Sequence, residues 1–251
     1  MSVLASELIF YGSANMPEAD SLTAGGAIQT ATRVIFDSAT LANAPSGALG
    51  CSSSDADDTT QTLTITGRDA AGIIVTEALS LNGVTNVSGT QYFERILKAV
   101  VDDAHNGTVT LRDKESATIV AIESGVLTVR RPFYDVSSDA AGGSERNYYE
   151  KIFLKNTNDA LALLSPTISE SADPSENLTF AVANAQNDAE TVANRQTAPS
   201  EVGSFSSDAK TIPNTNLPAG SGVGIWMKLT LAAGEAAAKT TYTFGVAGTS
   251  I

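Results

Sequence analysis

The sequence predicts an all-β protein made of two β-sandwich domains with an extended N-terminal arm. Three observations carry that prediction. Short runs in both halves of the chain alternate apolar residues with Thr or other polar residues, the two-residue period of a half-buried strand. Turn chemistry rich in Gly, including Asn82-Gly83 and Asn106-Gly107, separates the runs. A Gly/Ser-rich stretch around 137–144 interrupts the pattern midway. The expected division is an arm over 1–20, a first domain over 21–131, a linker over 132–147, and a second domain over 148–251 with a long insertion at 184–219.

Taken in order, the arm holds Leu4, Leu8, Ile9, Phe10 and Tyr11 among polar neighbours. It either starts a sheet or packs on a neighbouring subunit, so these five residues are candidate interface residues. Residues 12–26 read as extended loop, with small residues and Pro17. Thr32-Arg-Val-Ile-Phe36 reads as a strand, and no helix fits the small-residue stretch 37–58. The clearest β pattern follows. Leu63 and Ile65 alternate with Thr62, Thr64 and Thr66; 67–72 supply a turn; and Val75, Leu79 and Leu81 share the next strand's buried face. With the turn at Asn82-Gly83, the run 59–111 predicts an antiparallel meander. Over 91–101, Phe93, Ile96, Leu97, Val100 and Val101 recur at helical spacing, but the short length and flanking strands favour a strand. A turn at 102–107 then predicts that 108–112 pairs back on 91–101. Residues 118–122 and 126–130 predict one more hairpin.

In the second half, 148–155 predicts a strand, 161–168 an edge strand because Pro166 cannot donate to a ladder, and 178–182 a further strand. The insertion 184–219 carries Pro199, Pro213 and Pro218 and few apolar clusters, and loops of such length are usually functional or mobile. Residues 222–231 and 240–247 predict a closing hairpin that resembles that of an immunoglobulin-like sandwich. Ile225, Met227, Leu229 and Leu231 share one face of it. Trp226 falls on the other, as an interface anchor or under a loop of its own domain.

Composition excludes several functions. The 251 residues, 42% of them hydrophobic, suffice for a sizeable core. A net charge of -13 argues against grasping nucleic-acid phosphates. The N-terminus lacks the features of a secretory signal, and no apolar run approaches the ~18 residues of a membrane span. The expectation is therefore a protein made and kept in a cytoplasm, with no nucleic-acid or membrane partner. Asn86, Asn106 and Asn177 match the glycosylation sequon but read as turn and strand residues.

Candidate chemistry is sparse. Cys51, the one cysteine, lies away from any histidine. Counting a calcium loop from Asp55 puts Thr60 at the position that needs Gly and Thr66 at the one that needs Glu, so Asp55, Asp57 and Asp58 read as a solvated loop. His105, the one histidine, reads as a turn residue. There is no phosphate-binding Gly loop, nucleophile elbow or zinc motif. The expectation is no enzyme, no catalytic residue, no metal and no cofactor.

Three groups of residues suggest a family. They are Ser6-Glu-Leu-Ile-Phe-Tyr-Gly-Ser-Ala-Asn-Met-Pro-Glu18; the run from Thr62 through Phe93-Glu-Arg-Ile-Leu97; and Tyr149-Glu-Lys-Ile-Phe-Leu-Lys-Asn-Thr-Asn158 with Gly224-Ile-Trp-Met-Lys-Leu-Thr-Leu-Ala-Ala-Gly234. Together they resemble virion structural proteins of tailed bacteriophages. The resemblance implies a non-enzymatic subunit of the particle, a capsid decoration protein or a neck or tail component. It also implies a homo-oligomer whose partners are copies of itself and other virion proteins, and it carries over no functional residues. A carbohydrate-binding or adhesin-type module is the alternative, but such modules present exposed aromatics, and 6% of this chain is aromatic, with one Trp.

Overall fold

The structure is a computed structural model that describes residues 2–35, 48–113, 117–133, 143–172, 177–235 and 242–249. Phe36, most of the stretch 37–58 before Ala48, and residues 134–142 of the expected linker lie outside the described residues, as do 236–241 of the closing hairpin. The fold is all-β, with one short 3-10 turn at Ala5–Glu7. The strands of the first half are β1 (Leu8–Asn15), β2 (Ala24–Val34), β3 (Ala48–Ser53), β4 (Thr62–Arg68), β5 (Ile74–Ser80), β6 (Val87–Tyr92), β7 (Arg95–Val101), β8 (Val109–Arg112), β9 (Thr118–Ile122) and β10 (Thr128–Arg130). Those of the second half are β11 (Arg146–Asn156), β12 (Leu163–Ala172), β13 (Leu178–Gln186), β14 (Thr191–Val192), β15 (Lys210–Thr211), β16 (Asn216–Leu217), β17 (Gly222–Leu231) and β18 (Thr243–Thr249).

The chain forms two compact units, a continuous one over Thr30–Arg131 and a discontinuous one made of Met1–Gln29 and Pro132–Ile251. Strand β2 passes from one to the other. The N-terminal arm, expected either to start the first sheet or to pack on a neighbouring subunit, belongs with the second half of the chain, where β1 pairs antiparallel with β11 from Leu8↔Asn156 to Gly12↔Ile152. The alternating Ile9, Tyr11 and Leu8, Phe10 fit a strand with partners on both faces. The 3-10 turn is tied down as well. The Glu7 carbonyl accepts hydrogen bonds from the Thr157 N–H and hydroxyl, and Glu7 Oε1 accepts one from Asn158 Nδ2 at 2.9 Å.

In the continuous unit, β5, β4, β7, β10 and the end of β2 are neighbours in a ten-stranded sheet that continues through β2, and β6, β3, β8 and β9 form a four-stranded sheet. One hydrophobic cluster draws on both, with Leu63, Ile65, Leu79, Ile96, Ala99 and Val101 from the first and Leu49, Cys51, Val109, Leu111, Val120 and Ile122 from the second. The expected β4–β5 hairpin forms, with register Leu63↔Leu79 and Ile65↔Glu77. Residues 91–101 are strand, broken at Phe93 and Glu94 between β6 and β7. The meander, however, is corrected. After the Asn82-Gly83 turn the chain leaves the first sheet, and β6 pairs with β3. Strand β8 pairs with β3 and β9 and not with β7, while β10 pairs with β7 and, in parallel, with β2. Neither predicted return hairpin forms. Burying one face of every strand requires two sheets, and the chain alternates between them.

In the discontinuous unit, the larger sheet runs β13, β17, β11, β1, β2, with β14 on β2. A smaller sheet is built on β12, which pairs with β15 and β16 and also with β18. Strand β12 is therefore no edge strand. Pro166 sits where the β12–β18 register shifts, beside Ser165 at φ +46°, and a bulge is where a ladder tolerates a residue without an N–H. The expected β17–β18 hairpin is absent too, since β17 lies between β11 and β13. Phe244 of β18 stacks on Phe10 of β1 at 5.8 Å and meets Phe180 of β13 edge-on at 5.0 Å. These rings fill the space over one face of the larger sheet.

Candidate functional site

The other face of that sheet carries the most unusual chemistry in the chain. Register places Lys151 of β11 opposite Trp226 of β17, which is in turn opposite Ala181 of β13. Both Lys151 and Trp226 have no exposed surface. A central strand of β-rich sequence normally buries alternate residues, but β17 buries every residue from Gly222 to Met227. The cover comes from the segment that follows β13. Ala24, Tyr149, Val192 and Trp226 form a cluster against which Val202 and Phe205 pack, and Phe205 meets Tyr149 edge-on at 5.5 Å. Gly25 fits here because it has no Cβ. One would lie 2.6 Å from the Trp226 ring, and φ of +88° suits glycine alone.

Within this cover the Lys151 ammonium meets Asp188, with Nζ 2.7 Å from Oδ1 and side-chain exposures of 0% and 5%. Nζ also lies 3.4 Å from the Asp188 carbonyl and 3.3 Å from the Glu190 carbonyl. The Phe153 and Trp226 rings sit 5.0 and 5.6 Å from it. Burial lowers the Lys151 pKa, and the hydrogen bond and charge of Asp188, with the charges of Glu190 and Glu201, offset this only in part. Asp188 Oδ1 accepts the Glu190 N–H at 2.8 Å, whereas Oδ2 is buried with no hydrogen-bond partner. Gly224 makes the contact possible, because a Cβ there would stand 2.5 Å from Oδ2 and 3.0 Å from Lys151 Cε.

Arg195 fastens the same segment. It is 2% exposed, donates from Nη1 to the Glu18 carbonyl, approaches Asp20 Oδ1 at 3.7 Å and lies over the Tyr148 ring at 5.6 Å. Its backbone carbonyl accepts the Tyr149 N–H at 2.7 Å. The expected insertion 184–219 is thus the lid of its own sheet and contributes β14, β15 and β16.

The candidate interface residues fall out differently. Leu4 is 57% exposed, Leu8, Ile9 and Phe10 are half-buried, and Tyr11 is buried. Trp226, expected either as an interface anchor or under a loop of its own domain, is a core residue covered by its own unit. Sequence reasoning missed Lys151 on β11 and Asp188 and Arg195 in the loops after β13, because charged residues ordinarily face water. The local signal was there, since Lys151 shares a two-residue period with Tyr149 and Phe153.

In the continuous unit, the loop expected to be solvated is partly a buried polar knot. Asp58 is fully buried and accepts hydrogen bonds from Ser53 Oγ at 2.6 Å and from the Asn106 and Gly107 N–H groups at 2.9 Å each. Beside it the buried His105 ring bridges two carbonyls, with Nδ1 2.7 Å from Gly107 O and Nε2 2.9 Å from Val126 O. Both residues hold the 102–107 turn that redirects the chain between sheets. Burial, with a smaller effect from Glu77, pushes the Cys51 thiol up to about 11, which leaves it unreactive. Among the described residues no group of three or more His, Cys, Asp or Glu is placed to hold a metal ion. No protein-family model and no curated protein matches this chain.

Proposed function

We propose that this protein is a non-enzymatic structural subunit of a tailed-bacteriophage particle, a capsid decoration protein or a neck or tail component. In this reading it resides in the virion, forms a homo-oligomer, and contacts copies of itself and other virion proteins. Each unit is an immunoglobulin-like β-sandwich. The observation that carries the proposal is the resemblance of several runs to virion structural proteins, because those runs are spread over strands of both units, β1, β4 to β7, β11 and β17. Two features support the sandwich reading. Each unit combines strands of the ten-stranded sheet with a four-stranded sheet, and the cluster of the continuous unit takes side chains from both. Exposed Leu4 offers an apolar contact at the chain start, whereas Trp226 offers none. The carbohydrate-binding alternative would rest on exposed aromatic surface, and Tyr92, at 62%, is the large aromatic so exposed among the described residues.

The test is to purify phage particles from a host that produces this chain and locate it by mass spectrometry and electron cryo-microscopy. The expected result is regular, symmetry-related density that fits both units. Absence of the chain from purified particles would overturn the proposal.

A further inference from the structure

We propose that Lys151 and Asp188 join covalently, in a self-catalysed isopeptide bond between Lys151 Nζ and Asp188 Cγ that staples the segment after β13 to β11. This inference is independent of the particle reading. The geometry supplies what an amide-forming reaction needs. Nζ is held 2.7 Å from the carboxyl oxygen Oδ1, which keeps the amine beside the carboxyl group it would attack. The pair sits under Trp226 and Phe153, away from the water that would solvate both charges. An ion pair so placed loses much of its solvation, which favours the neutral amine and acid over the charged forms.

The reaction balances within the pair. A proton passes from the ammonium to the carboxylate along their hydrogen bond, leaving an amine and a carboxylic acid. The two remaining N–H groups of the amine face the Asp188 and Glu190 carbonyls, and its lone pair is left for Cγ. Attack forms the N–C bond and moves the carbonyl electron pair onto Oδ2, while the Glu190 N–H donates at 2.8 Å to Oδ1, the oxygen that received the proton. Oδ1 then leaves as water with the acid proton and one proton from nitrogen, and Oδ2 becomes the amide carbonyl oxygen. The product is one amide and one water, and no oxidant, metal or external nucleophile takes part. Gly224 is the positioning residue, since any side chain there would push Oδ2 and Lys151 Cε apart.

Intact-mass spectrometry of the folded full-length chain tests this. The expected mass is one water below that of the sequence, and a protease digest should contain a branched peptide joining Lys151 to Asp188. Lys151→Met and Asp188→Ala should restore the full mass. Asp188→Asn should lose ammonia and give the same branched peptide, a result that a purely structural ion pair would not produce. A folded wild-type chain of full sequence mass, with Lys151 and Asp188 in separate linear peptides, would overturn the proposal.

Discussion

Asp58 shows how one buried carboxylate can hold a chain reversal. Burial is the largest single influence and opposes ionisation. The hydrogen bonds from Asn106, Ser53 and Gly107, with His105 nearby, together outweigh it and hold the carboxyl below the ordinary Asp value. Because the folded pKa lies below the unfolded one, the ionised group stabilises the fold at pH above the unfolded value of about 3.9. That contribution is lost as pH falls from there through the folded value. Asp58→Asn keeps the shape but loses charge-assisted bonds to two backbone N–H groups, so it should cost about 1–3 kcal/mol at neutral pH. Urea midpoints measured from neutral to acid pH should fall more steeply for wild type than for the variant, and parallel curves would show that Asp58 contributes no linkage. The aspartates were legible in sequence as a cluster. The inward turn of Asp58 was not, because its partners Asn106 and Gly107 lie in another loop.

At the scale of the element, the lid over β11 and β17 shows why a long polar segment need not be loose. Val192, Val202 and Phe205 are too scattered to signal a core by periodicity, yet each reaches the same cluster beneath. Arg195 fixes the middle of the segment through carbonyl and carboxylate contacts to residues near the start of the chain. Phe205→Ala removes the edge-on ring contact with Tyr149 and opens a path for water toward Trp226. The expected cost is about 2 kcal/mol, below that of a fully buried Phe because Phe205 is only half-buried. As Trp226 is the one tryptophan, its fluorescence reads the lid directly. Wild type should emit at the short wavelengths of a dry indole and the variant further to the red, and an unchanged spectrum would show that Phe205 is not part of the cover.

For the whole molecule, the order in which the chain visits its two units sets what can fold alone. The continuous unit has both of its termini at the division and a hydrophobic cluster of its own. A fragment covering 30–131 should therefore fold with a cooperative urea transition and a β-type circular dichroism spectrum, and a non-cooperative transition would refute its autonomy. The discontinuous unit must wait for both ends of the chain, because β1 near the start is paired to β11 in the second half. Removing residues 1–11 takes away most of that ladder and so probes folding as well as any contact with neighbours.

Sequence alone determined the β class, the positions of most strands, the buried face of β4 and β5 and one of the two buried faces of β17, because the two-residue period and the turn residues are properties of neighbours in the chain. Tertiary structure alone decided which strands pair, that β8 and β10 return to different sheets, and that the first strand closes the last unit. It also decided that Lys151, Asp188 and Trp226 share one dry site. Pairing and burial on the second face depend on groups brought together from distant parts of the chain, as when Asp188 in the lid meets Lys151 on β11. The alternation of a strand states only that one face is covered; what covers the other, and whether a charge can be held there, is fixed by the partner that arrives.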